Sequence, residues 1–418
     1  MFARRAAWDL RPSEFARRVE ARRRAGPLLD LAVSNPTDAG LAAASDALAA
    51  LLPGLAAHPR VRRYVPDPRG DPDARAAIAA HHARSGARLD PDDVLLCAGT
   101  SEGYAQLFRV LADPGDAVHV PTPGYPLFEH LAELEGLEAR RYRLAPPIAR
   151  SSARWRVDLD ALAASLDARS RALLVIHPHN PTGSSVDPED LASLRALARE
   201  RELCLISDEV FLDPAAPAAA PSALAGAGNG PLHFALSGAS KQLALPQLKL
   251  AWIAAAGPEA PRREALARLE FASDAYLSVS PLASACLAPL LAQRDELTAE
   301  LRARIAGNRA RVLKAFPRDG AVEALPAEAG WAALLRVRGA GGRAAPDEER
   351  LATALLERDG VLLQPGSLFE LESAPEAGAA AHLVLSLLPA AEVFEAGLER
   401  IRDRVARAAR DPELQGSG

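Results

Sequence analysis

The chain has 418 residues, 49% of them hydrophobic, and a formal net charge of −5, enough to bury a sizeable core and to form two domains. The acidic balance argues against a nucleic-acid partner, and no apolar run approaches the roughly 20 residues of a membrane helix. The start, MFARRAAWDLRPSEFARR, lacks the apolar stretch and cleavage pattern of a secretory signal and reads as an amphipathic helix.

Cys97, Cys204 and Cys286 are far apart and form no CxxC; they read as free thiols in a reducing cytoplasm, and no metal is expected. Among 49 basic residues only Lys241, Lys249 and Lys314 are lysines. Chemistry that needs a primary amine therefore has three candidates.

In chain order, apolar runs at 94–97, 117–120, 172–176, 203–206 and 234–236 each end at a polar turn, and the first three lead into helical periodicity. Strands apolar throughout, alternating with helices, predict an α/β architecture: a mainly parallel sheet covered by helices on both faces. From about 282 the pattern shifts to long helices, then to strand candidates at 331–337 and 361–364 and a last helix near 390–409. This predicts a smaller α+β domain. The expected division is an N-terminal helix and arm (1–45), a large domain (46–285), a small C-terminal domain (286–410) and a loose tail (411–418). Segments 214–231 and 339–350 read as loops, and there are no internal repeats.

Ligands of a parallel α/β sheet collect at the carboxyl ends of its strands, where Gly99, Thr100, Ser101, Tyr125, Asn180, Asp208 and Lys241 all lie. Gly99, Thr100 and Ser101 open a helix whose free N–H groups suit a phosphate, or they are ordinary caps. Asp208 can hold a pyridine-type nitrogen protonated, or is a strand-end acid turned to solvent. Asn180 offers an amide to a ring oxygen or a carboxylate, or belongs to a plain turn. Tyr125 is a stacking platform or core packing. Lys241, shielded and with its pKa lowered, is a nucleophile toward an aldehyde, or a solvated loop lysine.

With SNPT at 34–37, Tyr64 before PDPRG and Arg75, AGTSEG at 98–103, PGY at 123–125, HPHNPTG at 177–183, DEV at 208–210, SGASK at 237–241 and QPGSLF at 364–369, the chain resembles the class I/II aminotransferases, fold-type-I pyridoxal-phosphate enzymes, over about 30–405. The resemblance implies pyridoxal 5′-phosphate held by Lys241 as a Schiff base, with Lys241 then moving a proton at the substrate carbon. It pairs Asp208 with the ring nitrogen, Asn180 with the ring hydroxyl and Tyr125 with the ring face. Gly99, Thr100, Ser101, Ser240 and Lys249 fall at the phosphate, and Tyr64 reaches the phosphate of a neighbouring subunit in a homodimer with shared active sites. Asn35 and Asn180 fall where the substrate approaches. The partners implied are a small amino donor and an oxo-acid acceptor.

Four positions depart from the family's pattern. Phe211 replaces a tyrosine, Lys249 replaces a phosphate-binding arginine, Gly238 replaces a serine, and Val384 stands where an arginine usually clamps the substrate carboxylate. Arg69 is placed near the mouth by analogy, and Trp331 is a pocket wall. The leading expectation is an aminotransferase. A β-elimination lyase on the same fold is the alternative that Phe211 and Val384 suggest. A non-catalytic ligand sensor is the third; such regulators carry an N-terminal DNA-binding module, and the motifs begin near residue 31, which leaves no room for one before them.

Overall fold

Apolar strands in the first two thirds of the chain need cover on both faces, and they obtain it by assembling into one sheet between two helical layers. The computed structural model describes residues 2–147, 154–213, 215–216, 220–339, 345–371 and 380–408. The expected tail at 411–418 and parts of the expected loops at 214–231 and 339–350 lie outside the described residues.

In chain order the strands are β1 (Leu29–Asp30), β2 (Val94–Cys97), β3 (Ala117–Thr122), β4 (Glu138–Ala145), β5 (Arg156–Val157), β6 (Ser170–Ile176) and β7 (Cys204–Asp208). They continue as β8 (His233–Gly238), β9 (Ala251–Ala256), β10 (Val322–Ala324), β11 (Ala332–Arg338), β12 (Val361–Leu362), β13 (Gln364–Pro365) and β14 (Ala380–Ser386). The main sheet has the order β2-β9-β8-β7-β6-β3-β4-β5. Its centre, β8-β7-β6-β3-β4, is parallel; β9 runs antiparallel to β8 and β2, and β5 antiparallel to β4.

Successive strand residues point to opposite faces. Val94 and Leu96 join Trp252 and Ala254 in one apolar layer, while Leu95 joins Ile253 and Phe234 in the other. The first layer is closed by helices Ala43–Leu55, Pro72–Ala83 and Pro281–Ala292, the second by Thr100–Leu111 and Glu259–Tyr276. Side-chain caps start two of these helices, at Asp71 and Ser280. Asp71 accepts from the Asp73 and Ala74 amides just before Pro72, which sets the first helical φ.

The smaller layer is an antiparallel sheet, β10-β11-β14-β13, with helices Ala299–Ala315, Glu348–Asp359 and Ala391–Ala408. Its apolar cluster takes in Leu31 and Leu41 from the N-terminal arm. β1 pairs in parallel with β12, and the Ser386 amide donates to the Leu31 carbonyl at 2.7 Å. The arm is thereby stitched to the small layer.

Several details differ from the sequence expectation. The expected divisions at 45 and 285 fall inside helices Ala43–Leu55 and Pro281–Ala292, and the latter packs on Pro72–Ala83 of the large layer. The helical run from 282 is broken into Pro281–Ala292, Arg294–Leu297 and Ala299–Ala315. The N-terminal helix is Glu14–Ala25, capped by the Ser13 side chain, with no buried residue. The alanine-rich AWIAAA of β9 gives little strand signal; hydrogen bonding to β8 and β2 on either side overrides alanine's helix preference. Among the described residues no helix is long and apolar enough to cross a membrane.

Candidate functional site

The loops after β2, β3, β6, β7 and β8 open onto a cavity of about 410 Å³ between the main sheet and the small layer. Thr100, Tyr125, Asn180, Asp208, Ser240 and Lys241 all line it, facing Ser34, Trp331, Gln364, Val384 and Ser386 from the arm and the small layer. Residues from Thr100 to Lys241 thus meet because the parallel strands all end on one side.

Lys241 sits in the short helical turn Ala239–Gln242 directly after β8. Its Nζ lies 4.6 Å from the centre of the Trp331 ring and 5.6 Å from that of Phe211, and those two rings meet edge to face at 5.6 Å. Burial lowers the amine to about 8, with the Asp208 carboxylate acting in the opposite direction. A lysine so placed has a neutral, nucleophilic fraction near neutral pH. Gln242, almost fully buried, fixes the surrounding loop: its Nε2 donates to the carbonyls of Val210 at 3.2 Å and Leu212 at 2.8 Å, holding Phe211 beside Lys241.

Asp208 is the last residue of β7 and only 8% exposed. Burial raises its carboxyl to about 6, opposed by the Val210 amide, the Tyr104 phenol and Lys241. The Val210 amide donates to Oδ1 at 3.1 Å and the Tyr104 hydroxyl to Oδ2 at 2.9 Å. A buried carboxylate with one donor on each oxygen remains an anion at neutral pH, suited to a cationic ring nitrogen.

At the far side Thr100 begins helix Thr100–Leu111. The Lys249 Nζ sits 3.7 Å from where a Cβ on Gly99 would be, and Ser240 faces the cavity nearby. A helix N-terminus, two hydroxyls and an ammonium group are the chemistry suited to an anion. Ser101 is exposed and is not part of the cavity lining.

Asn180 is presented by the turn that ends at Gly183. This glycine adopts φ +67°, and a Cβ there would stand 2.5 Å from the Ala329 carbonyl oxygen. Its own carbonyl accepts from the Glu328 and Ala329 amides at 2.9 Å each. The Asn180 turn is thus tied to the loop that carries Trp331. Tyr125 packs edge to face on Phe128 at 5.6 Å, and the neighbouring Gly124 amide donates to Phe369 of the small layer.

Three expected residues lie elsewhere. The Asn35 side-chain oxygen is taken up by the Thr37 amide at 3.1 Å and hydroxyl at 2.9 Å, and Ser34, not Asn35, lines the cavity. Arg69 is spent on Glu270 at 2.6 Å and the Asp92 carbonyl at 3.2 Å, away from the cavity. Tyr64 is 73% exposed and outside the cavity of its own chain. Two residues that sequence reasoning passes over are brought in instead. Tyr104 reads as an inward helix aromatic with no sign of a polar partner, and Gln364 as part of a short strand.

A profile of the family described as "Aminotransferase class I and II" matches residues 27–380. Nicotianamine aminotransferase 1 from Oryza sativa subsp. japonica is 30% identical over 196 residues, which is 47% of this chain and 39% of that protein. Tyrosine aminotransferase from Homo sapiens is 27% identical over 265 residues, 60% of this chain and 57% of that one. The matched segments therefore span about half the length of these relatives or less. In three dimensions, an alanine aminotransferase from Pyrococcus furiosus superposes with a TM-score of 0.82 at 21% identity, over 97% of this chain and 100% of the other, so the fold is shared. With a family match over most of its length, this chain belongs to the class I and II aminotransferases.

Proposed function

We propose that this protein is a pyridoxal-phosphate-dependent aminotransferase, moving an amino group between an amino compound and an oxo compound. The observation that carries the reading is the pairing of a buried, low-pKa Lys241 with a buried Asp208 beside the anion-suited groups of Thr100, Ser240 and Lys249. Aldehyde, ring nitrogen and phosphate of pyridoxal phosphate each have a chemically matched partner in that arrangement, so the residues fit the group.

Bound there, pyridoxal phosphate supplies an aldehyde for amines and a ring that draws electrons from the substrate carbon. Lys241 would hold it through Nζ, and the same Nζ as a free amine would take the proton from the substrate carbon and return it. Asp208 would keep the ring nitrogen protonated, Asn180 would offer its amide to the ring oxygen, and Tyr125 would serve the ring face. Phe211 and Trp331 exclude water from the Lys241 amine. Lys249 contributes charge at the phosphate without the two-pronged geometry of an arginine.

Tyr64, exposed on the single chain, is assigned to the neighbouring active site of a homodimer, and the compartment is assigned as cytoplasm. Trapping with borohydride tests the central claim: pyridoxal phosphate should become fixed to Lys241 in the intact protein and not in Lys241→Ala. Attachment elsewhere, or none, overturns it. A second reading, β-elimination on the same cofactor, is favoured by Phe211, which offers no hydrogen bond where the family's tyrosine offers one. Release of pyruvate and ammonia from cysteine-like donors without an oxo acceptor would establish it.

A further inference from the structure

The part of the cavity that this chain builds is short of positive charge where substrate must sit. Among the described residues that line it, Lys241 is the single cation, and the proposed function commits that amine to the cofactor. Val384, 3% exposed, faces the cavity from β14, paired across the sheet with Gln364 and Leu334. It stands where the family's sequence pattern has arginine.

Among the described residues no arginine lines this cavity. Arg309 donates to the Ala329 and Gly330 carbonyls at 2.9 and 2.8 Å. Arg304 is held by Glu300 at 2.8 Å and the Ala39 carbonyl at 2.9 Å. The groups that do face the space are neutral. Ser34, Asn180, Gln364 and Ser386 supply hydroxyls and amides, and Phe211, Trp331, Leu368, Val384 and Leu388 supply apolar walls. A carboxylate brought here would lose its water and find neutral amides, hydroxyls and apolar walls in place of a cation, which is unfavourable. A hydroxyl or carbonyl oxygen loses far less, because neutral amides and hydroxyls satisfy it.

We propose that the substrate of this site is a primary amine whose reacting carbon bears no carboxylate, with an apolar or aromatic body and at most a neutral polar head such as a hydroxyl. The inference rests on the aminotransferase reading above. In the net reaction the donor's C–H and C–N bonds break, its carbon is oxidised to an aldehyde or ketone with oxygen from water, and Lys241 accepts the proton. The amino group and the electron pair pass by way of the cofactor to an acceptor carbonyl, which is reduced to an amine and gives up its oxygen as water. The amine and its carbonyl counterpart bind the same surface, so the preference holds in both directions.

The test uses pyridoxal-phosphate-loaded protein and matched donors, L-phenylalanine against L-phenylalaninol and L-leucine against L-leucinol. Single-turnover conversion is followed by the cofactor's absorbance, and the carbonyl product is trapped. The amino alcohols should react with a second-order rate constant about 10-fold or more above the amino acids, the scale set by one unpaired buried charge. Val384→Arg should reverse the order by raising the amino acids at least as much. Wild-type protein that prefers the amino acids overturns the inference alone, whether or not the variant folds. Protein in which borohydride traps no cofactor on Lys241 overturns the aminotransferase reading, and this inference with it.

Discussion

The Tyr104 hydroxyl donates to Asp208 Oδ2 across 2.9 Å, joining helix Thr100–Leu111 to the end of the central strand β7. Both groups are buried, and the Tyr104 ring is held edge to face against Phe128 at 5.3 Å. The phenol stabilises the charged form of Asp208 against the burial that raises it to about 6.

Removing that donor should weaken the hold on a cationic ring. A hydrogen bond to a charged group contributes about 1.5–3 kcal/mol, so Tyr104→Phe should raise the Kd for pyridoxal phosphate about 10-fold. Affinity should also fall away on acidification with a midpoint above the wild-type value near 6. Fluorescence titration across pH reads both, and an unchanged Kd with an unchanged midpoint would sink the assignment of Tyr104 as a positioning residue.

Lys241 carries its own pH signature. Burial places its amine at about 8, and the neutral form is the nucleophile. The rate of cofactor capture should therefore climb through about pH 8 and level off above it. Asp208→Asn removes the anion that holds the value up, so its midpoint should move down. A rate that does not vary with pH, or an unshifted midpoint in the variant, counts against the pairing of these two groups.

Glu209, directly after Asp208, is a second buried carboxyl, raised to about 7 by burial from an ordinary 4.5. It accepts from Ser207 at 3.0 Å, Ser222 at 2.7 Å and the Ala223 amide at 2.9 Å. The folded chain keeps this proton to higher pH than the unfolded chain. Its contribution to stability is thus fully present below about 4.5 and is lost as pH rises through about 7. Glu209→Gln cannot ionise and should lack that decline. The melting temperature of the variant minus that of wild type should rise between about pH 5 and about pH 8; a difference constant with pH would refute the assignment.

The turn that presents Asn180 depends on Gly183. Alanine at φ +67°, with its Cβ 2.5 Å from the Ala329 oxygen, should cost about 2 kcal/mol in urea unfolding. Because the same turn anchors the loop before Trp331, tryptophan fluorescence of the folded variant should change as well. Wild-type stability would show that the turn relaxes freely.

The α/β class and the gathering of Thr100, Tyr125, Asn180, Asp208 and Lys241 on one edge were legible from the sequence, because apolar runs ending in polar turns specify strands whose carboxyl ends share a side. What stayed hidden depends on contacts between distant segments. β9 is a strand through its neighbours and not through its alanines. The arm joins the small layer because Leu31 finds its cover there. Asn35 turns to Thr37 while Ser34 takes the place at the cavity. The Tyr104–Asp208 bond spans 104 residues, and nothing within either segment announces it. Val384 was visible as a departure, but only the packed cavity decided that no arginine among the described residues lines it. Periodicity along the chain determines which elements form, whereas long-range packing decides which side chains share a buried space and what charge is missing from it.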